Sequence, residues 1–127
     1  QYSQVEVDVL DFLILKYQEL KLLGVKDIII DPGFGFGKSL HQNYTLLHNL
    51  SIFRMLECPM MIGISRKSMI YKILDGSPED ALFGTTALHF YALQQGALIL
   101  RVHDVKAAID TIKVWEALEA VNQVENL

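Results

Sequence analysis

Apolar positions recur along this chain in two rhythms. Between residues 5 and 23, Val5, Val9, Phe12, Leu13, Leu20 and Leu23 fall close to i, i+3/i+4, i+7 spacing, with Lys16, Glu19 and Lys21 among them. That spacing predicts an amphipathic helix, with Gly24 as its C-cap. The segment 25–31 then carries the run Ile28-Ile29-Ile30 and predicts a buried strand. Ser39 and Gln42 have capping-box spacing, so a second helix opens there and runs to about Met55. Cys58-Pro59 breaks the chain. Met60-Met61-Ile62-Gly63-Ile64 follows, apolar without alternation, as a strand covered on both faces requires. A short helical stretch reaches about Leu74, and Asp75-Gly76 turns the chain. Ser77-Pro78-Glu79-Asp80 is a strong helix start: Ser at N-cap, Pro at N1, acids in the first turn. That helix runs to about Gln95 and stops at Gly96. The segment 97–102 predicts a third strand. A last helix spans roughly Val105 to Val121, with Ala108, Ile112, Trp115 and Leu118 facing inward.

One helix followed by three strand–helix units predicts an α/β protein with three parallel strands, in a single domain over residues 1–127. Composition changes this picture only at the margins. Of 127 residues, 51% are apolar, enough for a core. A net charge of −4 with both signs scattered disfavours nucleic acid as a partner, because phosphate binding wants a basic face. Cys58 is the single cysteine, so no intrachain disulfide forms and a reducing, cytoplasmic compartment is expected. No apolar run approaches the ~20 residues of a membrane span. The polar start Gln1-Tyr2-Ser3-Gln4 lacks a signal-peptide pattern, and the absence of an initial Met suggests a fragment.

The chemistry gathers after the first strand, in Asp31-Pro32-Gly33-Phe34-Gly35-Phe36-Gly37-Lys38-Ser39. Three alternate glycines permit positive φ, and Pro32 ends the strand at Asp31. The loop is expected to carry two exposed phenyl rings beside a carboxylate. It is not a P-loop, because only three residues separate Gly33 from Gly37. It is not a dinucleotide fingerprint either, because Lys38 stands where a third Gly belongs. His41 and His48 have no partner at metal-ligand spacing and read as surface or packing residues.

In parallel α/β sheets, ligands bind beyond the carboxyl ends of the strands. Here those ends offer Asp31, then Ser65 and Lys67, then Arg101 and His103. Members of each pair are two residues apart, hence on one side of an extended chain, while Arg66 points the other way. Arg101 supplies bidentate donors for phosphate, with His103 beside it. Asp31, an acceptor when ionised, suits the amidine-like N–H edge of a heterocycle. Lys67 can donate to a ring carbonyl or ring nitrogen, and Phe36 could stack on an aromatic substrate.

Asp-Pro-Gly-Phe-Gly-Phe-Gly-Lys, Ser-Arg-Lys-Ser-Met after the second strand and Arg-Val-His-Asp after the third, together with Gly84-Thr85-Thr86-Ala87, closely resemble the dihydropteroate synthase family of folate biosynthesis. The resemblance implies the C-terminal part of a (β/α)8 TIM barrel, whose whole takes ~250 residues. It implies condensation of 6-hydroxymethyl-7,8-dihydropterin pyrophosphate with p-aminobenzoate, release of pyrophosphate, use of Mg2+ and competition by sulfonamides. By position it assigns Asp31 and Lys67 to the pterin as catalytic residues. Ser65, Phe36 and Lys67 would border the p-aminobenzoate site, and Arg101 and His103 would bind pyrophosphate. Gly63 and Val102 join these as substrate-binding positions. The asparagine expected to hold Mg2+ and the rest of the pterin pocket lie outside this chain, so the chain alone is expected to be inactive. The family's late-barrel helices imply a homodimer. Two other readings stand beside this one: a pterin-binding methyltransferase on the same barrel, and an accessory half-barrel that binds a pterin or acts in assembly.

Overall fold

Glycine closes the two long helices that precede sheet segments. The computed structural model describes residues 4–35 and 37–125 and begins with α1 at Val5–Leu22. Gly24, at φ +89°, donates its N–H to the Lys21 carbonyl, and Val25 N–H reaches back to Leu20. This paired closure needs a left-handed residue, which glycine supplies without a Cβ clash. The same closure follows α4 (Leu82–Gln94), where Gly96 and Ala97 donate to the Leu93 and Ala92 carbonyls.

Helix α2 spans Leu40–His48 and is capped as its sequence predicts. Ser39 Oγ accepts from Gln42 N–H at 3.1 Å, and Gln42 Oε1 accepts from Ser39 N–H at 2.8 Å. The helix predicted to reach Met55 breaks at Asn49 instead, and Leu50–Leu56 continues as a 3-10 helix. Asn49 Nδ2 donates to the Thr45 carbonyl at 2.8 Å, the local side-chain competition that makes Asn a poor mid-helix residue. Ser77 caps as expected, but over a 3-10 turn at Pro78–Asp80 that precedes α4. Helix α3 is short, Ser68–Tyr71, and α5 runs from Val105 to Glu125.

The sheet is smaller than predicted. Strands β1 (Met61–Ile62) and β2 (Ile99–Leu100) pair in parallel, with Met61 opposite Ile99 and Ile62 opposite Leu100. The expected first strand is reduced to one parallel bridge, Ile30 opposite Met60. Two local causes limit it. Ile30 N–H donates to Pro59 and its carbonyl accepts from Met61 N–H, so pairing of earlier residues would fall on the turn at Glu57–Cys58. The next ladder donor would be residue 32, and Pro32 has no N–H. The fold is α/β, with two strands and a bridge among the described residues rather than three strands.

Phe53, Leu46, Leu50, Ile62 and Ile64 are fully buried between the sheet and the helices. Phe34, expected to be exposed, is 1% accessible and belongs to this core. On α1 the inward face is Val5, Val9, Leu10, Leu13 and Ile14, while Phe12, Leu20 and Leu23 face outward. Leu118 on α5 is likewise exposed, whereas Ala108 is buried. Trp115 on α5 is half-buried, and its buried Nε1 has no hydrogen-bond partner among the described residues.

His89 on α4 is 1% exposed, and its Nε2 has no hydrogen-bond partner among the described residues. Burial disfavours the imidazolium and pulls the pKa down from 6.5 to about 4. The unfolded chain therefore binds the extra proton between those two values. Stability is fully present above pH 6.5 and falls as pH drops towards 4, by about 3 kcal/mol in all. Denaturant unfolding at pH 7 and pH 5 should show a loss of about 2 kcal/mol for the native sequence, and a smaller one for His89→Leu.

Candidate functional site

The carboxyl ends of the three paired segments converge. Ile30 leads into Asp31, β1 into Gly63, and β2 into Arg101. The Arg101 guanidinium lies across Gly63, on the middle segment, and its Nη1 stands 3.5 Å from Asp31 Oδ2. A Cβ at Gly63 would lie 2.6 Å from Arg101 Cζ, closer than any real contact. Glycine here lets the guanidinium lie directly over the middle segment; any side chain at 63 would push the flexible Arg101 head aside and away from Asp31. The other Asp31 oxygen accepts from Gly33 N–H at 2.9 Å, which fixes the carboxyl plane.

The glycine loop is held at both ends. Gly33, Gly35 and Gly37 all have positive φ, between +72° and +91°. Phe34, pointing inward, anchors the loop to the core. Gly35 N–H donates to Oδ1 of the buried Asn43 at 2.8 Å, and Asn43 Nδ2 donates to the Ser39 carbonyl at 3.1 Å. From the next segment, Lys67 Nζ donates to the Phe34 carbonyl at 2.6 Å. Burial, with repulsion from Arg101 and Lys38, pulls the Lys67 ammonium below its ordinary pKa, and Asp31 opposes the shift. Phe34, Gly35, Asn43, Lys67, Ser68 and Met69 line a cavity of about 190 Å³ beside this rim. A larger cavity, about 530 Å³, lies by Cys58, Pro59, Ala97 and Trp115 at the amino ends of the strands, remote from the ionisable rim.

Ser65 and Lys67 come to the rim by a route that alternation does not describe. Residues 64–67 form a tight turn, closed by Lys67 N–H donating to the Ile64 carbonyl at 3.0 Å, with Arg66 at φ +55°. Ser65 is buried, and its Oγ accepts from His103 N–H at 3.2 Å. Arg66 turns away from the rim, as predicted, and grips Asp104 with two N–H groups, at 2.8 and 3.1 Å. That pairing holds the Asp104 carboxyl below its ordinary pKa. The structure thus brings Asp31, Gly63, Ser65, Lys67, Arg101 and His103 together; Val102 is half-buried between the last two. Phe36 lies outside the described residues. Asn43 carried no signal in the sequence, and Thr85 stood only within the Gly84–Ala87 motif with no task assigned, since its bond to Arg66 N–H spans 19 residues. Asp104 could have been found, because an acid directly after Arg-Val-His closes the same motif.

The arrangement offers the Arg101 guanidinium for an anion, a carboxylate for a donor-rich edge and a small cavity beside Lys67 and Met69. Residues 1–103 match the family of pterin binding enzymes. The chain belongs to the pterin-binding enzyme family. A dihydropteroate synthase of Haemophilus influenzae is 47% identical over 118 residues, covering 91% of this chain and 43% of that enzyme. The solved dihydropteroate synthase of Xanthomonas albilineans in complex with 7,8-dihydropteroate superposes with a TM-score of 0.91 at 40% identity, over 94% of this chain and 47% of that one. That of Yersinia pestis with a pterine–sulfa conjugate gives 0.92 at 36% identity, over 95% and 49%. This pterin-binding enzyme chain spans less than half the length of the relatives it matches.

In this family member the loop geometry rests on Asn43. Asn43→Leu leaves the Gly35 N–H without its acceptor and should cost about 1–3 kcal/mol in urea unfolding. Amide exchange at Gly35 should accelerate beyond that at Ile30, whose N–H bonds to Pro59.

Proposed function

We propose that this chain is the C-terminal part of the (β/α)8 barrel of a dihydropteroate synthase. That enzyme joins 6-hydroxymethyl-7,8-dihydropterin pyrophosphate to p-aminobenzoate and releases pyrophosphate. The observation that carries this reading is the convergence of Asp31, Lys67 and Arg101 at one rim, supported by synthase relatives that match across nearly the whole chain.

Each residue then has a task. Asp31 accepts from the amino-pyrimidine edge of the pterin, and Lys67 donates to the ring. Arg101 and His103 take the pyrophosphate. As the bond from the pterin's exocyclic carbon to oxygen breaks, its electrons leave with the pyrophosphate, and the Arg101 guanidinium, with the His103 imidazole as a further donor, stabilises the growing negative charge. The arylamine of p-aminobenzoate attacks the same carbon and loses a proton, forming the new C–N bond. Ser65, Phe36 and Lys67 border that second substrate, and sulfonamides compete there. Gly63 and Val102 keep the rim narrow enough for contact.

Among the described residues no group of three His, Cys, Asp or Glu side chains is placed to hold a metal ion, and Asp31 is already engaged by Gly33 and Arg101. The Mg2+ that this reading implies would be held by an asparagine outside this chain, with the substrate's phosphates, and this chain's own donors toward the pyrophosphate are Arg101 and His103. No helix among the described residues is long and apolar enough to cross a membrane. A cytoplasmic homodimer packed through α4 and α5 completes the reading; Phe83, Val114 and Leu118 leave an apolar face on those helices.

Incorporation of labelled p-aminobenzoate tests the assignment. The isolated chain should give no turnover, because half the pocket is elsewhere. Joined to the remaining strands of such a barrel it should turn over, and Arg101→Ala should raise KM for the pterin pyrophosphate by about 10- to 100-fold, the worth of charge-assisted hydrogen bonds. Turnover by the isolated chain at the rate of a complete enzyme, or an unchanged KM in Arg101→Ala, would overturn it.

A further inference from the structure

Arg66 sits between two rim residues, yet its own side chain never faces the rim. Its guanidinium is committed elsewhere: Nε and Nη2 donate to the two oxygens of Asp104, and Nη1 donates to the Pro78 carbonyl at 2.6 Å. Its backbone is committed too. Arg66 N–H donates to Thr85 Oγ at 3.1 Å. Thr85 is 2% exposed and spends its own hydroxyl proton on the Ala81 carbonyl at 2.6 Å, so an oxygen lone pair is left facing Arg66. This second anchor holds Arg66 in the left-handed region, where a non-glycine residue stays only if its surroundings fix it.

The same two loops meet at the adjacent position, where Ser65 Oγ accepts from His103 N–H. Residues 65 and 66 thus engage 103 and 104 side by side, outside the β1–β2 ladder. The stretches so joined carry Ser65 and Lys67 on one side, Arg101 and His103 on the other. An isolated surface ion pair contributes little, but this one is bidentate, three-quarters buried on the arginine side and tied to a strained backbone.

We propose that Arg66 and Asp104 are positioning residues: with Thr85 they form a latch that sets the spacing between the Ser65/Lys67 pair and the Arg101/His103 pair. The proposal rests on the reading of those four residues as the binding rim.

The test uses the full chain. First, amide hydrogen exchange is measured without ligand. Asp104→Asn and Arg66→Gln should each raise exchange at His103 and Arg66 on the order of tenfold, with Met61 and Arg101 in the sheet ladder unchanged. Unchanged exchange at His103 would overturn the latch. Faster exchange at Met61 as well would also overturn it, since that marks general loosening. Second, inorganic pyrophosphate is titrated calorimetrically. Each single variant should bind about tenfold more weakly and the double variant no worse than either, as coupled partners behave. Thr85→Val should match them, and Thr85→Ser, which keeps the hydroxyl, should restore affinity. Multiplied losses in the double variant would overturn the latch. If the native chain itself fails to bind pyrophosphate, the anion-site reading falls, and the exchange comparison still decides the latch.

Discussion

Everything at the rim depends on Met60–Gly63 being hydrogen-bonded along both edges. On one side Ile30 exchanges bonds with Pro59 and Met61; on the other, Leu98 and Ile99 donate to Met60, and Arg101 donates to Ile62. Parallel pairing with these registers aligns three chain ends within a few residues of one another. The helices between them only have to return the chain to the same starting edge. Because the alignment is backbone-made, the side chains after each end are free to differ chemically without disturbing it.

Capping signals in this sequence were sound, while the length and type of the helix they open were not always legible. Gly24 and Gly96 as helix stops, the Ser39–Gln42 box and the Ser77-Pro78 start are visible because a cap involves neighbours within a few residues. Phe34 was misread because its neighbours Gly33 and Gly35 look like open loop, while the ring packs against a core assembled from distant segments. The first strand was overestimated for a similar reason. An Ile-rich run promises pairing, but the number of rungs depends on where its partner starts and on whether the next residue has an N–H.

The rim residues were legible as types and less so as geometry. Asp31, Lys67 and Arg101 stood out because charge at a strand's carboxyl end is conspicuous next to apolar interiors. Their arrangement was not readable. Ser65 and Lys67 meet through a turn with a left-handed residue rather than through strand alternation, and Ser65 spends its hydroxyl on a backbone amide of the next loop. Asn43 supports the glycine loop from inside a helix, eight residues on, and nothing in its local sequence announces that task.

The exposed contact between Arg101 and Asp31 has an electrostatic consequence of its own. A ligand that claims both groups separates an existing pair of opposite charges while it makes new contacts, so the net gain in ionic attraction is smaller than the number of its contacts suggests. Dissolved salt weakens the internal pair and the incoming contacts together. Salt would therefore lower the cost of parting Arg101 from Asp31 as it lowers the ionic gain, and would leave shape and hydrogen-bond direction, which mobile ions do not screen, unchanged.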